Sequence, residues 1–220
     1  MVPCPLIFLD IDGVICCNTQ ARLDEPQLAQ LKRVCKATGA KIVLSSDWRR
    51  RVPLKQKVQR ALKRMGVEYV GCTPIKTETT RIGSQLIETN LRPAEILSWL
   101  EKRGGRSPRA WVAIDDRDLL AEALEHGDVG FDGHFVRTDI YTGLTPELAE
   151  LAIEILSRTP TADDVALVQQ LTNRRLESSR SEGERSFAGA SDASSPTLAA
   201  SLGGASLRTI PDDDESEYAA

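Results

Sequence analysis

Three short apolar runs constrain this chain more than any other feature. They are PLIFLD at 5–10, KIVLS at 41–45 and AWVAID at 110–115. Each is short and lacks an alternating polar face, the pattern of a strand covered on both sides. VEYVG at 67–71 is a fourth run of the same kind. Between the runs the apolar spacing turns helical. Leu28, Leu31 and Cys35 share one face, behind Asp24 as a cap and Pro26 in the first turn, and Gly39 ends that segment. Leu54, Val58, Ala61, Leu62 and Met65 share another before Gly66, and Ile96, Leu97 and Leu100 follow Pro93. A short helix near 118–125, a strand at 134–137 and a helix begun by Thr145 and Pro146 complete the pattern. Strands alternating with helices of this length predict an α/β fold, a Rossmann-like parallel sheet with helices on both faces. Residues 72–91 lack clear periodicity and read as mostly loop.

The apolar runs end on polar groups. Asp10 and Asp12 close the first, with Gly13 behind them; Ser45 and Ser46 close the second; Asp115 and Asp116 close the run at 110–115. In an open parallel sheet, ligands gather at the carboxyl ends of the strands, so these groups should meet at one edge. Acid pairs placed there repel unless something offsets them. Hard carboxylate oxygens suit Mg²⁺, which takes one or two carboxylates together with waters and a phosphate oxygen. A phosphate-bearing substrate follows from that chemistry.

These segments resemble the haloacid dehalogenase (HAD) superfamily. FLDIDGV is similar to its first motif, an apolar strand ending in DxDG. KIVLSSDWR is similar to the second, a strand ending in Ser or Thr. RPAEIL resembles the third, a basic residue at a helix start, and WVAIDD the fourth, a strand ending in an acid pair. Together with TGLT at 142–145, the series is similar to the HAD domain associated with RNA-repair proteins. The resemblance runs from about residue 5 to 157.

The resemblance implies a Mg²⁺-dependent phosphomonoesterase working through an aspartyl-phosphate. Asp10 would be the nucleophile and Asp12 the general acid and base. Ser45, or Ser46 one residue on, would hydrogen-bond the phosphoryl group. Arg92 would be the basic residue where the family more often has Lys, with Lys76 as the alternative. Asp116 would hold the metal with Asp10 and the backbone carbonyl of Asp12, while Asp115 would assist or orient Arg92. The DWRRR stretch at 47–51 lies at the mouth of such a site. There Trp48 and Arg49 either bind substrate, with Trp48 stacking on a base, or belong to the core and a solvated loop. Only about 30 residues separate Asp12 from the second strand, and the stretch from Ser46 to Arg92 is already filled, so a full cap domain has no room. An open site suits a phosphate on something large, such as a nucleic-acid end. The alternatives are a small-molecule phosphatase with residues 72–91 as a partial lid, and a catalytically idle binding module.

Composition narrows the partners. The net charge is −4, yet residues 178–220 alone hold 8 acids and 3 bases, leaving the remainder close to neutral. Bulk attraction to nucleic acid is therefore not expected, although a local basic patch is compatible with it. No run approaches the ~18 apolar residues of a membrane span. Five cysteines form no CxxC pair and no zinc spacing, and His126 and His134 show no metal-ligand spacing either. No signal peptide is visible, so a cytoplasmic location is expected. GxxxxGK[ST] and GxGxxG motifs are absent, which speaks against a Walker-type kinase or a dinucleotide site. The expected organisation is a phosphatase domain over 1–158, a C-terminal helical segment over 159–177 and a disordered Ser-rich acidic tail over 178–220. Nothing in the sequence bears on oligomeric state.

Overall fold

The computed structural model describes residues 4–102, 110–128 and 130–158. The helical segment expected at 159–177 and the tail at 178–220 lie outside the described residues. The elements are β1 (Leu6–Leu9), α1 (Glu25–Thr38), β2 (Lys41–Leu44), a 3-10 turn (Asp47–Arg50), α2 (Val52–Met65), β3 (Tyr69–Cys72), β4 (Thr77–Ile82), β5 (Gln85–Asn90), α3 (Arg92–Lys102), β6 (Trp111–Asp115), α4 (Leu119–Glu125), β7 (Phe135–Arg137) and α5 (Pro146–Ser157).

Five strands form one parallel sheet in the order β3-β2-β1-β6-β7. β1 lies in the middle, paired to β2 on one side and β6 on the other. All four of its residues are buried, which explains its unbroken apolar character. Side chains alternate between the faces of the sheet. Ile7 and Leu9 of β1, Ile42 and Leu44 of β2, and Val112 and Ile114 of β6 join the core beneath α1, α2 and α5. Leu6, Phe8, Val43, Trp111 and Ala113 face the other way, onto α3 and α4. That second core is partly aromatic. Phe8 meets Trp99 and Trp111 edge to face, and Trp111 meets Phe131 in the same manner. His134 is stacked on Trp111 at 4.4 Å and its Nδ1 lies 2.8 Å from the Trp111 carbonyl, a structural setting.

Two expectations are corrected here. Residues 72–91 are not mostly loop. β4 and β5 form an antiparallel hairpin separate from the main sheet, turning at Gly83. Its described side chains are mostly exposed, so no buried face imposes an apolar alternation on the sequence. Asp24 sits at the N-cap position of α1 but its carboxylate does not cap the helix. It accepts instead from the Cys17 backbone N–H at 2.7 Å and from Asn18 Nδ2, bracing the loop that follows β1. Among the described residues no helix is long and apolar enough to cross a membrane.

Candidate active site

The site is assembled at the carboxyl edge of the three central strands. Asp10 follows β1 directly; its backbone N–H donates to the Ile114 carbonyl at 3.0 Å, so strand pairing fixes its place. It is 5% exposed. The chain then folds into a tight loop in which the Ile11 carbonyl accepts from the N–H groups of Val14, Ile15 and Cys16. Gly13 makes this loop feasible twice over. Its φ is +66°, a left-handed value that glycine adopts without strain. A Cβ at this position would also lie 2.7 Å from the Asp116 carboxyl carbon. Thr138 secures the loop from the far side, donating its hydroxyl to the Gly13 carbonyl at 2.7 Å and its N–H to the Asp115 carbonyl at 3.0 Å.

Asp10, Asp115 and Asp116 each bring a carboxylate oxygen within 4.8 Å of the others. Arg92, at the start of α3 and 3% exposed, is the counter-charge. Its Nη1 donates to Asp10 Oδ1 at 2.9 Å and to Asp115 Oδ2 at 2.7 Å. Burial alone would make the guanidinium easier to deprotonate, but the Asp10 and Asp115 carboxylates outweigh that and raise its pKa. Arg92 is thus the basic residue at the site, whereas the Lys76 side chain is exposed. Asp115 is pushed up to about 8, by burial first and the Asp10 carboxylate second, against the pull of Arg92. Its Oδ1 accepts from the Arg117 N–H, so both its oxygens are engaged in orienting neighbours. Asp116 is raised by burial and by Asp10.

The donor set fits a hard divalent cation. The cluster holds only carboxylates, without His or Cys, and such an oxygen set favours Mg²⁺, Mn²⁺ or Ca²⁺ over zinc. Asp10 and Asp116 are the residues that would hold it, with Asp115 behind them on Arg92. The Asp12 side chain is not in the cluster, in keeping with a contribution through its carbonyl and a separate task for its carboxylate. That carboxylate is raised, by burial foremost and further by Asp10, Asp116 and Asp47, while a hydrogen bond from Trp48 works the other way.

Two serines of the second motif separate cleanly. Ser46 Oγ accepts from the Trp48 N–H at 3.3 Å and caps the 3-10 turn. The Ser45 hydroxyl is buried with no partner. A buried hydroxyl left unsatisfied costs free energy unless a ligand meets it. Of the two serine hydroxyls, that of Ser45 is the one left without a partner.

Of the two settings open to Trp48 the structure gives the core one, while Arg49, expected either on substrate or in a solvated loop, is buried. Trp48 is 4% exposed and offers no face to a base. Its indole Nε1 instead donates to Asp12 Oδ2 at 2.8 Å. Arg49 is buried as well. Its Nη1 donates to the carbonyls of Ser45 and Ser46 at 2.9 and 2.8 Å, and its Nη2 pairs with Glu95 at 2.6 Å. Both side chains brace the site through these bonds. Burial lowers the Arg49 pKa, and the Glu95 carboxylate opposes that.

Glu95, fully buried on α3, escaped the sequence reading. Its Oε1 accepts from the Lys76 N–H at 3.0 Å, and its Oε2 lies 3.7 Å from Arg92 Nε. The signal was available: an acid three residues after Arg92, on the face that Ile96 and Leu100 bury. Asn90 was missed too. It accepts from Arg50, donates to Asp47, and its carbonyl receives Arg117 Nη2. These bonds root the hairpin at the rim of the site.

A family model described as the HAD domain in Swiss Army Knife RNA repair proteins matches residues 6–149, more than half of the chain. The chain belongs to this family. No curated protein and no solved structure matches it. The HAD domain makes this chain a HAD-type hydrolase, and the matched range contains the segments whose side chains meet at the edge described above.

Proposed function

We propose that the protein is a Mg²⁺-dependent phosphomonoesterase that acts on the phosphate ends of nucleic acids. The observation that carries this reading is the convergence of Asp10, Asp115 and Asp116 within 4.8 Å beside a buried arginine. Three acids held so close call for a cation, and a cation with an unpartnered serine hydroxyl calls for a phosphoryl group. The match to a domain of RNA-repair proteins supports the substrate class, as does the absence of room for a full cap.

In the first step a carboxylate oxygen of Asp10 attacks phosphorus, and the bond to the leaving oxygen breaks. Asp12 supplies the proton to that oxygen; its raised pKa suits an acid able to hold one. In the second step Asp12 takes a proton from water as the water oxygen attacks the aspartyl-phosphate, which releases phosphate and restores the Asp10 carboxylate. Ser45 and Arg92 hold the phosphoryl oxygens as charge moves over them. Mg²⁺, when bound, neutralises part of that charge. Arg92 aims Asp10 through the hydrogen bond from its Nη1 to Asp10 Oδ1 at 2.9 Å. The five cysteines are unpaired, which supports a reducing, cytoplasmic setting as part of the same proposal.

Phosphate release from oligonucleotides carrying a 3′- or 5′-phosphate tests the reading. Release should require Mg²⁺, stop with EDTA and be lost in Asp10→Asn. Equal release by the native and Asp10→Asn proteins overturns it. A second reading, a small-molecule phosphatase, has the rooting of the β4–β5 hairpin at the rim in its favour; faster turnover of sugar phosphates than of oligonucleotide ends would select it.

A further inference from the structure

Residues 48–67 hold 8 of the chain's 28 bases and no acid. Two of the eight are engaged inside the site or at its rim. Arg49 pairs with Glu95, and Arg50 bonds Asn90 and pairs with Asp47. The other six are Arg51, at the N-cap of α2, and Lys55, Lys57, Arg60, Lys63 and Arg64 on the helix. Among the described residues none of the six has a carboxylate partner. This arrangement is unfavourable for the helix itself. Like charges stand four residues apart at Arg51–Lys55 and Arg60–Arg64, and three apart at Lys57–Arg60 and Arg60–Lys63, spacings at which they repel. Arg51 and Lys55 also lie at the helix N-terminus, where the dipole disfavours cations, and no acid stands in that first turn. A polyanion laid on this face would relieve both.

The basic helix is fastened at two points to the loop that carries Asp12. Val58, Ala61 and Leu62 bury its other side. At its start, the Arg51 N–H donates to the Trp48 carbonyl at 3.2 Å, and the Trp48 indole donates to Asp12. Farther along, Lys57 Nζ donates to the Ala21 carbonyl at 2.7 Å. Ala21 has a φ of +52°, a left-handed value uncommon outside glycine. Its neighbour Arg22 is braced by Asn18, which accepts from the Arg22 N–H and donates to the Arg22 carbonyl. Asp24 then ties the segment back to the loop after β1, its N–H donating to the Ile15 carbonyl at 2.9 Å. Arg22, Lys57 and Arg64 line one groove of about 490 Å³ in this region. Of the two acids in its lining, Asp24 is occupied by Cys17 and Asn18, which leaves Glu25 against three bases.

No aromatic side chain lines the groove among the described residues, so it offers a base nothing to stack on. Its cations suit the phosphates of a backbone, which bind through charge. We propose that the basic face of α2, with Arg22 across the groove, carries the phosphodiester backbone of the strand whose terminal phosphate is hydrolysed. An acidic protein segment would meet the same charges. The strand is favoured because its end is what the Asp10 site would take, and both attachments of the basic helix lead to the loop holding Asp12. The inference rests on the proposed function and adds to it the path of the rest of the strand.

Binding and hydrolysis are read separately to test this. A fluorescein-labelled single-stranded oligoribonucleotide without a terminal phosphate is titrated by anisotropy at several salt concentrations. About four to six phosphate contacts predict a slope of log K against log salt of about −3 to −4 for the native protein. Arg60→Gln combined with Arg64→Gln should make that slope shallower by about 1.4 and weaken binding about 25-fold at 0.1 M salt. Lys36→Gln combined with Arg81→Gln removes the same charge from α1 and the hairpin and should change neither. The same strand is then given a 5′-phosphate. The ratio of its kcat/KM to that of p-nitrophenyl phosphate should fall by a similar factor in the α2 variant, through KM. A native slope flatter than about −1.5, an unchanged slope in the α2 variant, or equal losses in the two variants overturns the inference. Tighter binding of poly-glutamate of equal length also overturns it and assigns the face to an acidic protein. If no substrate is hydrolysed but α2-dependent RNA binding persists, the phosphatase reading fails and the strand surface stands. Phosphatase activity without RNA binding gives the converse.

Discussion

At the residue scale the site depends on what stands one atom away. Gly13 and Gly39 have nearly the same left-handed φ, +66° and +69°. A Cβ at Gly39 meets nothing within 4 Å, whereas one at Gly13 strikes Asp116. Alanine at either position should cost about 1–2 kcal/mol of stability from the left-handed backbone, measurable by denaturant titration. Gly13→Ala alone should also remove most of the activity, because Asp116 must move. Equal activities in the two variants would show that the Asp116 contact is unimportant. The serines offer a second contrast. Ser45→Ala should lower kcat/KM by about tenfold or more, since it removes a donor to the phosphoryl group, while Ser46→Ala should mainly lose the cap, about 1 kcal/mol of stability. The reverse pattern in the steady-state rates and melts would exchange their roles. Trp48→Phe keeps an aromatic ring but removes the N–H to Asp12, along with the volume of the second ring, whose loss should affect all substrates alike. A hydrogen bond to a charged group is worth about 1.5–3 kcal/mol, so turnover of alkyl phosphates, which need the acid, should fall at least tenfold. p-Nitrophenyl phosphate, whose leaving group needs little protonation, should be affected less in a single-turnover measurement of the first step. Equal losses on both would limit Trp48 to a structural part. The places of the acids, of the Ser45–Ser46 pair and of Arg92 were legible because each ends an apolar run or starts a helix, but the sequence did not choose between Ser45 and Ser46 or between Arg92 and Lys76. The tasks of Trp48 and Arg49 were not. A one-turn helix at 47–50 buries both side chains, and nothing in DWRRR distinguishes a buried arginine from a solvated one.

At the scale of the element, the sheet was readable because burial on two faces leaves an unbroken apolar run. β1, β2 and β6 lie within a residue or two of where the runs placed them, and the glycines at 39 and 66 end α1 and α2 in left-handed caps as their positions suggest. The β4–β5 hairpin was unreadable for the converse reason. Leu86 is 70% exposed and its strand partner is Arg81, so neither apolar alternation nor a buried run marks the segment. Among the described side chains of its strands none joins either core, and a two-stranded hairpin is marginal by itself; the bonds at Asn90 anchor its base. Replacing residues 79–88 with a short Gly-Ser turn should therefore leave the melting temperature of the protein nearly unchanged. If the hairpin does not close over substrate, turnover of sugar phosphates should also be unchanged. A fall of tenfold or more on small substrates, with oligonucleotide ends spared, would make the hairpin a lid and favour the small-molecule reading.

For the whole molecule, the site is a destabilising feature that ligand binding relieves. Folding brings Asp10, Asp115 and Asp116 together from two distant stretches of chain, and among the described residues Arg92 alone makes hydrogen bonds to two of them. Asp116 has a raised pKa in the folded protein. The sign follows from linkage: a carboxylate that binds its proton more tightly when folded is less costly to the fold at low pH, and its penalty develops as pH rises past the unfolded value. At neutral pH that penalty is in force. A cation that binds only the folded state offsets it, by about 1.4 kcal/mol at ten times its Kd. For a chain of this length that corresponds to about 3–6 °C in melting temperature. Mg²⁺ should therefore raise the Tm by that amount over an EDTA-treated sample, and Na⁺ at matched ionic strength should not. Asp116→Asn should melt above the native protein in EDTA, because a repelling charge is gone, yet gain little from Mg²⁺. Both halves of that pattern are needed. A variant that melts lower in EDTA would mean that Asp116 supports the fold through bonds of its own, and an undiminished Mg²⁺ shift would place the cation elsewhere.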